Sequence, residues 1–127
     1  MDVGSVLRAR IAYVVNLLKR YGYTNIKLKR YHHEPHGGSG WYRIEALRGR
    51  TRLVITEFIS EGQIVKYSYT AIVEDKPVLR YDNAPHHRIS TFPHHKHIKE
   101  RVEPLTNPSL EAFLEEYHRI LAPDKTC

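Results

Sequence analysis

The sequence has one cysteine and no long apolar run. That cysteine is the last residue, Cys127, so an internal disulfide and a cysteine-based zinc site are excluded. No apolar stretch approaches the roughly 18 residues that a membrane-spanning helix requires. Residues 1–5 lack the basic start and the apolar stretch of a secretory signal. We therefore expect a cytoplasmic protein that does not enter a membrane.

Acidic residues are fewer than basic residues in this chain. The 127-residue chain has 20 lysines and arginines against 14 aspartates and glutamates, a net charge of +6 at pH 7. This excess favours a polyanionic partner, RNA above all, or an acidic protein, although it also suits a plain solvated surface. Hydrophobic residues make up 41% of the chain, which is enough for a core. We expect one domain that spans residues 1–127.

Periodicity predicts a helix near each end of the chain. Residues 2–21 carry apolar side chains at three- and four-residue steps, and Gly22 is the predicted stop. A second helix is predicted to begin at Asn107 and Pro108, as an Asx cap followed by proline at the first helical position. Pro123 is its predicted end.

The chain between the helices alternates between apolar and polar residues, which predicts strands. One strand is expected from Tyr23 onward, and four further runs are bounded by turn residues: 41–47, 51–59, 63–73 and 78–81. Turns this short join antiparallel neighbours. The predicted fold class is α+β: an antiparallel meander of four to five strands with N- and C-terminal helices packed mainly on one face. An exposed sheet edge leaves a homodimer open.

A loop rich in glycine and histidine is predicted at residues 32–40. Its histidines, His32, His33 and His36, form an HHxxH spacing, which is a weak pattern for metal ligands. A solvated loop is favoured, and its role stays open.

Five of the nine histidines lie in residues 80–97, the segment that we expect to carry the functional site. They are His86, His87, His94, His95 and His97. Pro85 and Pro93 keep the segment extended or turning, so an irregular connector is predicted. Histidine titrates near neutral pH, and clustered titratable groups tend to mark sites.

Acid–base catalysis is the leading interpretation of this segment. RNA cleavage through its own 2′-hydroxyl needs a base for that proton, an acid for the leaving oxygen and cations for the phosphate. All five histidines are candidate catalytic residues, with His94 and His97 as the expected acid–base pair. The candidate phosphate-binding residues are Arg80, Arg88 and Lys96. The candidate residues of the substrate groove are Tyr67, Tyr69, Tyr81 and Asp82.

Two alternatives stay open. His95 and His97 would lie on one side of an extended segment, where Asp82 or His87 could complete a site for a divalent metal. Neighbouring cations oppose such a site, so the leading interpretation includes no metal and no cofactor. The other alternative is a non-catalytic module that docks nucleic acid or a protein through the same basic segment.

Several motifs together resemble one family. They are RYDNAPHH at 80–87, STFPHHKH at 90–97 and VEP at 102–104, preceded by KYSY at 66–69 and followed by the amphipathic helix. This pattern resembles the TumE-type family of small prokaryotic toxins. The resemblance implies the toxin of a two-gene toxin–antitoxin module, with a separate antitoxin protein as its partner. A nuclease mechanism follows only by analogy with other small basic toxins. The residues that carry over from the resemblance are His86, His87, His94, His95, Lys96 and His97.

Overall fold

The computed structural model describes residues 3–36, 38–85 and 90–123. In chain order the elements are α1 Val3–Arg20, β1 Thr24–His33, β2 Ser39–Arg48, β3 Thr51–Ser60, β4 Gln63–Val73, β5 Lys76–Asp82, β6 His95–Ile98, β7 Arg101–Pro104 and α2 Leu110–Glu116, which continues into a π-helix at Tyr117–Leu121. No helix in the described ranges is long and apolar enough to cross a membrane.

The first helix follows the predicted periodicity. Leu7, Val14 and Leu18 recur on one side of α1 and are fully buried. The chain then turns at Gly22, which adopts a φ of +86° that side chains other than glycine's rarely adopt. The predicted helix and its stop are confirmed, and α1 enters β1 after a short turn.

The sheet is an antiparallel meander in which every strand pairs with its neighbours in sequence, in the order β1-β2-β3-β4-β5-β6-β7. The predicted topology is confirmed, but the predicted number of four to five strands is too low. The two additional strands, β6 and β7, form a short hairpin that ends the meander. Residues 80–82 and 95–97 of this segment therefore lie in strands, and the described residues between them, 83–85 and 90–94, lie outside strands. Strands of four residues alternate over too short a length to be recognised in the sequence.

The second helix begins two residues later than predicted. Ser109, and not Asn107, is the N-cap, because the Ser109 hydroxyl accepts a hydrogen bond from the backbone N–H of Ala112 at 3.0 Å. Proline at position 108 consequently lies outside the helix. Leu110, Phe113 and Leu114 are fully buried, and each such side chain contributes about 1.5–3 kcal/mol through its removal from water.

Both helices pack on one face of the sheet, as predicted. On β3 every second residue is buried, and Thr51 on that face hydrogen-bonds the hydroxyl of Tyr117. Further along the same face, Glu57 is fully buried and pairs with Arg10 of α1 through two contacts of 2.8 and 2.9 Å. The opposite face of the sheet carries no helix in the described part of the chain. We call it the open face.

Candidate active site

The open face is strongly basic. Strand alternation and pairing register place six cations on it: Lys27, Arg30, Arg43, Arg52, Lys66 and Arg80. In the described strands two carboxylates share this face, and both are paired: Glu45 lies 3.3 Å from Arg52, and the buried Asp82 lies 2.8 Å from Arg80. The helix face instead holds Glu57, whose charge Arg10 neutralises. The positive charge of the sheet is therefore concentrated on the side that faces solvent.

A shallow pocket of about 340 Å³ lies on the open face over β2 to β5. Three cations line it, Arg43, Lys66 and Arg80, together with the hydroxyl-bearing residues Thr56, Tyr67, Ser68 and Thr70. No acidic residue in the described ranges lines it. Guanidinium, ammonium and hydroxyl groups donate hydrogen bonds to phosphate oxygens, so the pocket suits the phosphodiester backbone of a nucleic acid.

Two aromatic rings lie beside this pocket. Trp41 of β2 and Phe58 of β3 stack with a centroid distance of 5.5 Å and an interplanar angle of 17°. The Lys66 ammonium lies 5.3 Å from the Phe58 ring centroid. Partly exposed rings next to cations are the arrangement on which unpaired bases stack.

A cluster of Asp82, His95 and His97 lies on the same face, where β5 pairs with β6. Asp82 is opposite His95 in the register, and the next open-face pair is Arg80 with His97. His95 Nε2 lies 2.8 Å from Asp82 Oδ1, and His97 Nε2 lies 3.9 Å from Asp82 Oδ2. The two rings meet edge to face with centroids 4.9 Å apart. We call these three residues the Asp82–His95–His97 cluster.

His95 is held rigidly in this cluster. Its Nδ1 lies 3.0 Å from the carbonyl oxygen of Pro93, and its Nε2 contacts the Asp82 carboxylate. These two contacts, one at each ring nitrogen, fix the orientation of the ring. The side chain is 1% exposed, so it cannot touch a ligand on the surface. His95 is therefore placed to position Asp82, as a positioning residue.

His97 and Arg80 are the solvent-facing members of the site. The side chain of His97 is 34% exposed and that of Arg80 is 47% exposed, whereas Asp82 between them is 3% exposed. Asp82 also accepts a hydrogen bond from the backbone N–H of Ala84 at 3.0 Å, the turn contact expected of an aspartate at a strand end. The His97 imidazole and the Arg80 guanidinium are therefore exposed to solvent, and both contact the buried Asp82 carboxylate.

The structure does not bring His94 to this cluster. The His94 ring stacks on Tyr67 at 5.8 Å, and its Nδ1 lies 2.9 Å from the Tyr67 hydroxyl. Tyr67 is opposite Glu57 in the register, so its ring lies on the helix face, while the residue also lines the open-face pocket. The two residues of the expected pair, His94 and His97, therefore lie on opposite faces of the sheet. They are three positions apart, and side chains alternate between the faces along an extended chain.

Lys96, Tyr69 and Tyr81 also lie on the helix face. Lys96 Nζ is 2.9 Å from a carboxylate oxygen of Glu116 in α2, and the Tyr81 hydroxyl donates to the same carboxylate. The Tyr69 hydroxyl donates to Glu57. Burial, with these carboxylates, raises the pKa of both tyrosines well above its ordinary value. These residues hold the helices against the sheet, and the structure does not bring them to the open face.

Three candidate residues, His86, His87 and Arg88, lie outside the described residues, and their roles stay predictions. In the predicted loop at 32–40, His32 and His33 belong to β1 instead, because they pair with β2.

The residues of the open face that lie outside residues 80–97 were not predicted from the sequence. Trp41, Arg43 and Phe58 lie outside the motifs that the sequence offered, and Lys66 begins the KYSY motif without having been singled out as a binding residue. Strand alternation was the available signal, since Trp41 and Arg43 are two residues apart on β2. Choosing which face stays open requires knowing where the helices pack, and this only the structure shows.

Comparison with known protein families identifies the family of this chain. The family model described as Toxin TumE matches residues 11–122, which include the sheet, the cluster and α2. The comparisons with curated proteins and with solved structures found no match. Since the matched region covers most of the chain, this protein belongs to the TumE toxin family, and membership implies the toxin of a toxin–antitoxin module with a cognate antitoxin as its partner.

Proposed function

We propose that this toxin acts on RNA, binding a single strand across the open face and cutting it at the Asp82–His95–His97 cluster without a metal. The observation that carries the proposal is the position of this cluster on the same face as the basic pocket. Arg80 links the two, since it lines the pocket and contacts Asp82 at 2.8 Å. A phosphate held by the pocket cations would therefore lie beside the exposed imidazole of His97.

His97 is proposed to transfer a proton during cleavage. In this reaction the RNA 2′-hydroxyl loses its proton and attacks the adjacent phosphorus, and the 5′-oxygen of the next nucleotide leaves with a proton. The Asp82 carboxylate, fixed by His95, would orient the His97 ring and stabilise its charged form. Arg80 would hold the phosphate, because a guanidinium retains further N–H donors after one contact with a carboxylate. For the second proton-transfer group, His86 and His87 stay candidates from the sequence, since His94 packs on Tyr67 and His95 is buried.

The experiment uses two fluorescent strands of one sequence, a single-stranded RNA and its deoxyribose counterpart, each with purified toxin in EDTA. The proposal expects the RNA to be cut and the DNA to stay intact, because only the RNA has the attacking hydroxyl. Arg80→Gln should slow the cutting, and Lys76→Gln, an exposed position off the open face, should leave it unchanged. If RNA is bound with a strong salt dependence and never cut, the non-catalytic alternative is correct.

A metal-dependent nuclease is the second candidate, and a specific observation favours it. One ligand atom each from Asp82, His95 and His97 lies within 4.8 Å of the others. His95 also donates from Nδ1 to a backbone carbonyl, which is how metal-ligating histidines are commonly oriented. Against it, Arg80 already occupies one oxygen of Asp82. Loss of RNA cleavage in EDTA and its return with Zn²⁺ or Mn²⁺ would favour this candidate.

A further inference from the structure

The two edges of the sheet differ sharply. At one edge β7 has only four residues and ends in Pro104, which cannot donate a hydrogen bond to another strand. At the other edge β1 has ten residues, and no strand in the described ranges pairs with its outer side. A long edge strand offers unpaired N–H and C=O groups to any extended chain that lies beside it.

The side chains of β1 determine which kind of extended chain can pair with this edge. Lys27, Lys29 and Arg30 lie within the strand, and the strand has no acidic residue. Leu28 is 49% exposed and Tyr31 is 39% exposed, so apolar surface alternates with this charge. A second copy of β1 would bring lysines and arginines against one another, which is unfavourable for directly opposed strands. An acidic, extended segment would instead pair charge with charge and cover the apolar side chains.

We propose that β1 is the docking edge for an acidic, extended polypeptide segment, which adds an eighth strand to the sheet. Main-chain hydrogen bonds along β1 provide affinity, and the lysines provide specificity for carboxylates. Lys27 and Arg30 also belong to the open face, so a bound acidic strand neutralises the basic surface at its margin. The antitoxin that family membership implies is the natural source of such a segment. The inference itself does not depend on RNA cleavage.

The test measures amide hydrogen exchange of the full-length toxin by NMR, with two ten-residue peptides as probes. One peptide alternates glutamate with valine, and the other alternates lysine with valine. The glutamate peptide should slow exchange of the outward amides of β1, whereas the lysine peptide should not. The double variant K27E/K29E should bind the glutamate peptide about tenfold more weakly, because two attractions become repulsions. The matched control K76E/K99E makes the same charge change at exposed positions outside β1.

Three results would overturn the inference. If the glutamate peptide slows amide exchange only around the open-face pocket, the peptide binds there as a general polyanion and does not pair with β1. If K27E/K29E and K76E/K99E bind the glutamate peptide equally weakly, binding depends on the net charge of the toxin and not on β1. Slow exchange of β1 without peptide, lost on dilution, would assign the edge to a second copy of the chain. If K27E/K29E unfolds earlier than the control, the comparison of the two peptides on the unaltered toxin decides.

Discussion

Replacing His97 by glutamine should abolish RNA cleavage and leave the fold unaffected. Loss of a proton-transfer group slows such reactions by about 10²–10⁴-fold, a barrier change of about 2.7–5.4 kcal/mol. The same change removes little stability. His97 is partly exposed and lies 3.9 Å from Asp82, so the pair contributes about 0–1 kcal/mol to the free energy of unfolding. The thermal midpoint should fall by no more than about 5 °C.

The matched control is His94→Gln, one position outside the same strand. It removes the 2.9 Å contact with the Tyr67 hydroxyl, at a cost of about 0.5–1.5 kcal/mol, and should retain cleavage because that ring packs on the helix face. The assay is the initial rate of cutting of a labelled RNA, read beside thermal melting and growth arrest on expression. The reasoning would be refuted if the His97→Gln variant cuts RNA at the original rate. It would also be refuted if the His94→Gln variant no longer cuts RNA although its thermal stability is unchanged.

Further predictions concern the open face and the core. Arg43→Gln should weaken RNA binding at every sequence and reduce the salt slope by about 0.7, whereas Lys76→Gln should not. Lys96→Met should keep RNA cleavage, because Lys96 lies on the helix face, and should lower the thermal midpoint, because it leaves the largely buried Glu116 carboxylate without this ammonium group. Glu57→Gln should lower the free energy of unfolding in urea by about 3–5 kcal/mol, because it leaves a partly buried guanidinium unpaired. Burial and then the Glu57 charge raise the pKa of Tyr42 above its ordinary 10.0. Its stabilising contribution is therefore complete below about pH 10 and declines at higher pH by up to about 1.4 kcal/mol per unit, a decline that Tyr42→Phe should reduce in urea titrations.

The sequence predicts the fold well where its patterns are long. The stripe of α1 spans five turns, and β2 to β4 alternate over ten or eleven residues between short turns, so helix, meander and helix-covered face all follow. The hairpin of β6 and β7 was missed because its strands have four residues each. The cap at Ser109 was missed because Asn107 and Pro108 offered an equally good local signal.

The candidate site could be predicted only in part. Residues 80–97 do hold a cluster, and the approach of His95 and His97 to Asp82 follows from strand alternation. Pairing His94 with His97 required knowing where β6 begins, since one residue decides which face a ring occupies. Lys96 illustrates the same limit: its charge suits phosphate, yet its position in β6 directs it to Glu116.

The chemical ends of the cut RNA test the central claim most directly. Purified toxin is incubated with a single-stranded RNA in EDTA, and the fragments are analysed by mass spectrometry. Transfer of the phosphate to the 2′-oxygen by imidazole acid–base catalysis predicts fragments that end in a 2′,3′-cyclic phosphate, formed by the unaltered toxin and absent with His97→Gln. Fragments with a 3′-hydroxyl and a 5′-phosphate, or cutting that His97→Gln leaves unchanged, would contradict the account.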